Sequence, residues 1–159
     1  MGGRALAEVY DRSRISELFE AYARQIDALE LEALAEVFTP DCRVSYGEVE
    51  LDGLDALLGF LRKTMPRFAA TSHHITNLQV RRPASDEARV ESYIQAWHRY
   101  RAERPDLIMH GRYSSRAVRT PDGWRIAEHR GRLAETDRSA SPLQDGPDLP
   151  PRDAEPAAS

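Results

Sequence analysis

The sequence predicts an α+β fold in which three helices precede a run of long antiparallel strands. Apolar residues recur at helical spacing in three separate stretches of the first 65 positions, and from about Ala70 the pattern changes to alternation with period two. The pair Asp122-Gly123, set between two alternating stretches, is a hairpin signal.

The first helix rests on Ile15, Leu18, Phe19, Tyr22, Ala23 and Ile26, which form one apolar stripe. Asp27 follows at the edge of that stripe. Leu31, Leu34, Ala35 and Phe38 predict a second, short helix. Thr39-Pro40-Asp41 is expected to end it, because proline biases the preceding residue away from the helical conformation. Cys42, Val44 and Tyr46 alternate with Arg43, Ser45 and Gly47 and read as a short, half-buried strand. Leu54, Leu57, Leu58, Leu61 and Met65 predict the third helix, with Asp52 as its N-cap and Pro66 as its stop. Strands are then expected at about 71–82, 88–102, 107–119 and 123–134, joined by turns at 83–86 and 120–123. Residues 1–137 read as one domain. The remainder, 138–159, holds half of the ten prolines and few large apolar side chains, so a disordered tail is expected there.

Composition narrows the function classes. The chain has 159 residues, of which 41% are hydrophobic and 30% charged, as in soluble globular domains. No apolar run is long enough for a membrane helix, and the N-terminal stretch lacks a secretory pattern, so the expectation is a cytoplasmic protein that does not engage membranes. Net charge is −4, the arginines are scattered and lysine occurs once, at Lys63, which argues against nucleic-acid binding. A single cysteine, Cys42, excludes an intramolecular disulfide, and no histidine or carboxylate spacing marks a metal site.

Several polar residues stand out against this background. A carboxylate at Asp27, beside an apolar helix stripe, needs a partner or a chemical use, because an unpaired buried charge is costly. His73 and His74 point to opposite faces of one strand, so one of them faces inward. His74 shares its face with Leu78 and Val80, and His73 shares its face with Ile75, Asn77 and Gln79; periodicity alone does not choose between them. His98 lies on the strand face of Val90, Ile94 and Ala96. Tyr46 shares a face with Cys42 and Val44, Tyr22 belongs to the first helix stripe, and Tyr113 sits on a later strand where it can line a cavity. His110 and His129 have mixed surroundings in sequence and read as surface residues.

The stretches Ser72-His73-His74-Ile75-Thr76-Asn77, Gly111-Arg112-Tyr113 and Asp122-Gly123-Trp124-Arg125-Ile126, on this order of elements, resemble the SnoaL-like division of the NTF2-like superfamily over roughly residues 10–135. The resemblance implies a cone-shaped α+β barrel, with three N-terminal helices packed on a curved, mainly antiparallel sheet. Within that superfamily the chain is similar to scytalone-dehydratase-like and bile-acid-dehydratase-like enzymes. Their aspartate after the first helix and histidine in a His-x-Ile-x stretch match Asp27 and His73, and the resemblance favours His73 over His74. His98 matches a second histidine of the scytalone-dehydratase-like branch, and Tyr46 its first-strand tyrosine. Ile26 stands where that branch has another tyrosine, whereas Tyr22 fits the bile-acid-dehydratase-like pattern.

These matches imply a cofactor-independent dehydratase acting on a small hydroxy-carbonyl compound, cyclic or polyketide-like. Asp27, His73 and His98 are the expected catalytic residues, and Tyr22, Tyr46, Asn77 and Tyr113 the expected substrate contacts. Histidine suits proton transfer near neutral pH, and a neighbouring carboxylate fixes its tautomer. Two alternatives use the same residues: a cyclase or isomerase of secondary metabolism, and a non-catalytic ligand-binding module. No metal or organic cofactor is called for. A homo-oligomer, dimer or trimer, is expected, because an open curved sheet leaves an outer face to cover.

Overall fold

A computed structural model describes residues 2–137, and the 138–159 segment expected to be a disordered tail lies outside the described residues. The architecture is the expected α+β arrangement, with the helices at the N-terminal end and one mainly antiparallel sheet. Helix α1 spans Gly2–Ala28 and is followed by a 3-10 turn at Leu31–Glu36. Strand β1 spans Phe38–Tyr46 and β2 Val49–Asp52, and helix α2 covers Leu54–Thr64. Four long strands complete the chain: β3 Phe68–Arg81, β4 Glu87–Tyr100, β5 Leu107–Thr120 and β6 Gly123–Asp137. They form one six-stranded sheet in the order β2-β1-β6-β5-β4-β3, antiparallel throughout except for the parallel β1–β6 pair. Among the described residues, no helix is long and apolar enough to cross a membrane.

Helix α1 buries Ile15, Leu18, Phe19, Tyr22 and Ile26 against β3 and β6. Its first turns project beyond this contact and leave Leu6, Val9 and Tyr10 exposed. The helix ends in a Schellman arrangement. The Glu30 amide donates to the Gln25 carbonyl (2.8 Å) and the Leu29 amide to the Ile26 carbonyl (3.1 Å). Leu29 therefore adopts a left-handed φ of 60°, a conformation usually given to glycine. The effect of this cap is to stop α1 one residue after Asp27.

Four local expectations are corrected. The second helix is a single 3-10 segment, and Phe38 begins β1 instead of ending a helix. Thr39-Pro40-Asp41 lies inside β1, where the β1–β6 register shifts between Phe38 and Arg43; a strand irregularity accommodates proline's missing N–H. A short strand at Val49–Asp52, absent from the sequence reading, folds back on β1 after the turn at Gly47. Gly53, with φ 88°, precedes α2, and Asp52 makes no capping hydrogen bond.

One buried carboxylate ties the helix to the far end of the sheet. Asp11 is 5% exposed and receives Arg119 Nη2 (2.7 Å), Arg82 Nη1 (2.9 Å) and Trp124 Nε1 (3.0 Å). Both guanidiniums also lie over the Trp124 ring. Burial pushes the Asp11 carboxyl up, but the bonds from Arg119 and Trp124 and the two cations outweigh it and hold the group below the ordinary carboxylate range. Asp11→Ala is expected to lower unfolding stability by about 3 kcal/mol, since it leaves two cations without their anion. Urea denaturation monitored by circular dichroism measures this, and an unchanged midpoint would contradict the tie.

Candidate active site

The C-terminal turn of α1 presents Asp27 to β3. A carboxylate there opposes the negative end of the helix dipole, so it requires compensating donors. Three are present. His73 Nδ1–H donates to Oδ1 (2.7 Å), the His73 backbone N–H donates to Oδ2 (2.9 Å), and the Thr71 hydroxyl donates to Oδ1 (2.7 Å). Burial raises the Asp27 pKa, yet these hydrogen bonds outweigh it and leave the carboxyl below its usual range. Asp27 is thus a fixed anion. Because a carboxylate only accepts, its bond to Nδ1 assigns that nitrogen the proton. Nε2 takes no hydrogen bond from another described residue.

His73 has a side chain only 8% exposed and lines a cavity of about 250 Å³. His98, on β4, reaches the same cavity and meets His73 edge to face, with ring centroids 5.0 Å apart. The Phe68 ring packs on the other side of His98 at 4.6 Å. Ile26, Leu61, Met65 and Ile94 supply apolar walls. His74 lies on the opposite face of β3, exposed, with Nε2 3.0 Å from the Ser72 hydroxyl.

Opposite the histidines stand three phenols. The Tyr22 and Tyr46 hydroxyls are 2.6 Å apart, and the Tyr113 ring meets Tyr22 edge to face with centroids 6.2 Å apart. All three side chains line the cavity. Gly131 makes this cluster fit. It pairs with Tyr46 on one side and Tyr113 on the other, and an added Cβ would approach their rings to 3.2 and 3.1 Å. Burial pushes the pKa of each of the three tyrosines upward, so they remain neutral hydroxyl donors.

Six of the seven residues expected from sequence come together: Asp27, His73 and His98 on one side, Tyr22, Tyr46 and Tyr113 on the other. Asn77 does not join them. A bulge between Thr76 and Gln79 gives it a left-handed φ of 56° and leaves it exposed, so alternation carried forward from His73 fails there.

Two residues of the site went unread in sequence. Thr71 lies two positions before His73, on the same strand face, and that parity was the available signal. His129, expected at the surface, is fully buried. Its Nδ1 is 2.9 Å from the Ser115 hydroxyl, and its ring packs at 4.3 Å from Tyr113 and 5.1 Å from Tyr22. Burial pushes its pKa down to about 3, so it is a neutral imidazole behind the phenols.

That burial sets a pH dependence. The folded pKa of His129 lies below its unfolded value, so the unfolded chain binds the proton more readily and stability falls as pH drops from about 6.5 toward 3. The slope is about 1.4 kcal/mol per pH unit for one proton. Urea midpoints measured from pH 7 to pH 4 are expected to show this decline and His129→Gln to flatten it; equal slopes would contradict the buried neutral imidazole.

Comparison with known proteins bears on family and fold. A family model described as a SnoaL-like domain matches residues 7–130. An uncharacterised protein of Mycobacterium tuberculosis is 30% identical over 129 residues, covering 77% of this chain and 84% of its own length. The crystal structure of a putative scytalone dehydratase from Novosphingobium aromaticivorans superposes with a TM-score of 0.80 at 30% identity, covering 86% of this chain and 93% of the other. A hexachlorocyclohexane dehydrochlorinase, LinA-type3 from Novosphingobium barchaimii, shares the fold with a TM-score of 0.79 at 17% identity, over 92% of this chain and 99% of that one. With the matched domain covering most of the sequence, the chain belongs to the SnoaL-like family.

Proposed function

We propose that this protein is a cofactor-independent lyase that removes water from a small cyclic or polyketide-type hydroxy-carbonyl compound. The observation that carries the reading is the Asp27–His73 pair, whose remaining imidazole nitrogen belongs to a residue lining an apolar cavity faced by three phenols. Asp27 holds the proton on Nδ1, so the lone pair on Nε2 is the base. Nε2 takes the proton α to the substrate carbonyl, and the electron pair of that C–H bond forms an enolate. Tyr22, Tyr46 or Tyr113 donates to the enolate oxygen as charge develops, an interaction strengthened by the apolar walls. The enolate then re-forms the carbonyl as the β C–O bond breaks. The departing hydroxyl takes a proton from His98 or from the His73 imidazolium, and water leaves.

The non-catalytic alternative calls for an Asp27–arginine bridge or an Asp27 directed away from His73, and for a filled cavity. Among the described residues Asp27 is bound instead by His73 and Thr71, and the cavity holds about 250 Å³. The dehydratase name carried by the Novosphingobium aromaticivorans protein, at 30% identity, adds support for elimination chemistry. A cyclase or isomerase would employ the same base and the same phenols. The products differ in mass, because elimination loses a water and isomerising ring closure does not.

His73→Ala is expected to reduce turnover by about 10³-fold and Asp27→Asn by about 10²-fold, both with the fold retained. Mass-spectrometric assay of a panel of cyclic β-hydroxy ketones measures the loss of water. Undiminished elimination by either variant would overturn the proposal.

A further inference from the structure

A second recess adjoins the cavity and has a different character. It is about 640 Å³ in volume and lies between the turn after α2 and the β4–β5 loop, with Thr64 and Phe68 shared between the two spaces. Among the described residues its lining carries three arginines, Arg67, Arg101 and Arg104, and no aspartate or glutamate. Four other arginines are spoken for: Arg82 and Arg119 by Asp11, Arg99 by Asp106, Arg116 by Glu128. Arg67 and Arg104 make no ion pair among the described residues.

The recess is also held in shape. The Arg101 backbone N–H donates to the Arg67 carbonyl (2.9 Å), and Arg101 Nε donates to the Pro66 carbonyl (3.1 Å), so the loop is strapped to the turn. The Arg104 guanidinium lies 4.0 Å from the Tyr100 ring centroid, a cation–π contact that holds its charge at the lining of the recess. A row of rings links this place to the reactive histidine. Tyr100 packs on Phe68 at 4.9 Å, Phe68 on His98 at 4.6 Å, and His98 on His73 at 5.0 Å.

We infer that the recess is a subsite for an anionic group, carboxylate or phosphate, on the substrate or its carrier, with Arg67 and Arg104 as its cations. This rests on the reading of the cavity as the reaction site and adds a substrate class to it: an elongated molecule, apolar at the reacting end and anionic at the other. Arginine suits the task because its planar fork matches both anions. Being open to water, the pair contributes a modest, salt-sensitive part of the affinity and a larger part of the selectivity.

The test uses the full chain and two matched probes, naphthylbutanoate and its neutral primary amide, with dissociation constants measured by calorimetry. The wild-type protein is expected to bind the butanoate at least about tenfold more tightly than the amide at low salt. The double variant Arg67→Ala/Arg104→Ala, checked for fold by circular dichroism, is expected to lose that preference and keep its affinity for the amide. Competition by inorganic phosphate or by acetate identifies which anion the subsite prefers. Equal binding of the two probes by wild-type protein, or a preference that survives in the double variant, would overturn the subsite and leave the dehydratase reading standing. Binding of neither probe would overturn both.

Discussion

The carboxylate of Asp27 is the constraint on which the rest of the site depends. It sits in the last turn of α1, where the helix dipole disfavours an anion, and is kept there by three donors from one short stretch of β3. Two of those donors are on His73, one from its backbone and one from its ring. The same carboxylate therefore docks the helix end onto the strand and sets the tautomer of the imidazole. Leu29 in its left-handed conformation ends the helix directly after this turn, so the carboxylate stands at the helix terminus.

From that fixed point the cavity divides into two walls. One wall carries the imidazoles, with His98 packed edge to face on His73. The other carries phenols that burial keeps protonated, backed by the neutral ring of His129. Gly131 suits the second wall, since an added Cβ would come within 3.1 Å of Tyr113 and 3.2 Å of Tyr46, closer than such contacts usually run. The division matches the needs of enolate chemistry, which separates the proton acceptor from the donor that steadies the oxygen. It also places the polar groups in an apolar enclosure, where each hydrogen bond counts for more.

Much of this was legible in the sequence, and the failures share a cause. The stripe from Ile15 to Ile26 gave the buried face of α1, and alternation gave β3 to β6, because burial on one face imposes a period. Asp27, His73, His98 and the three tyrosines could be gathered because a family resemblance supplied what spacing does not: which elements adjoin in space. Asn77 and His129 were misplaced by the same physical event. A β-bulge inserts one residue and reverses the parity of everything beyond it. One bulge turns Asn77 outward; another, where Arg116 pairs with Glu128 but Ala117 pairs with Ile126, moves His129 to the inner face. Nothing local announces either bulge. The first turns of α1 and the strand Val49–Asp52 were missed for a simpler reason, that their residues are mostly exposed and so carry no burial pattern.

The measurement that bears most directly on the central claim is the tautomer of His73, read by long-range proton–nitrogen NMR on imidazole-labelled protein at neutral pH. The account predicts that the neutral form of the ring keeps its proton on Nδ1, held by Asp27, and leaves Nε2 unprotonated, with this tautomer lost in Asp27→Asn. A proton found on Nε2 in the wild-type protein, or a spectrum unchanged by Asp27→Asn, would contradict the claim that Asp27 prepares His73 to act as the base.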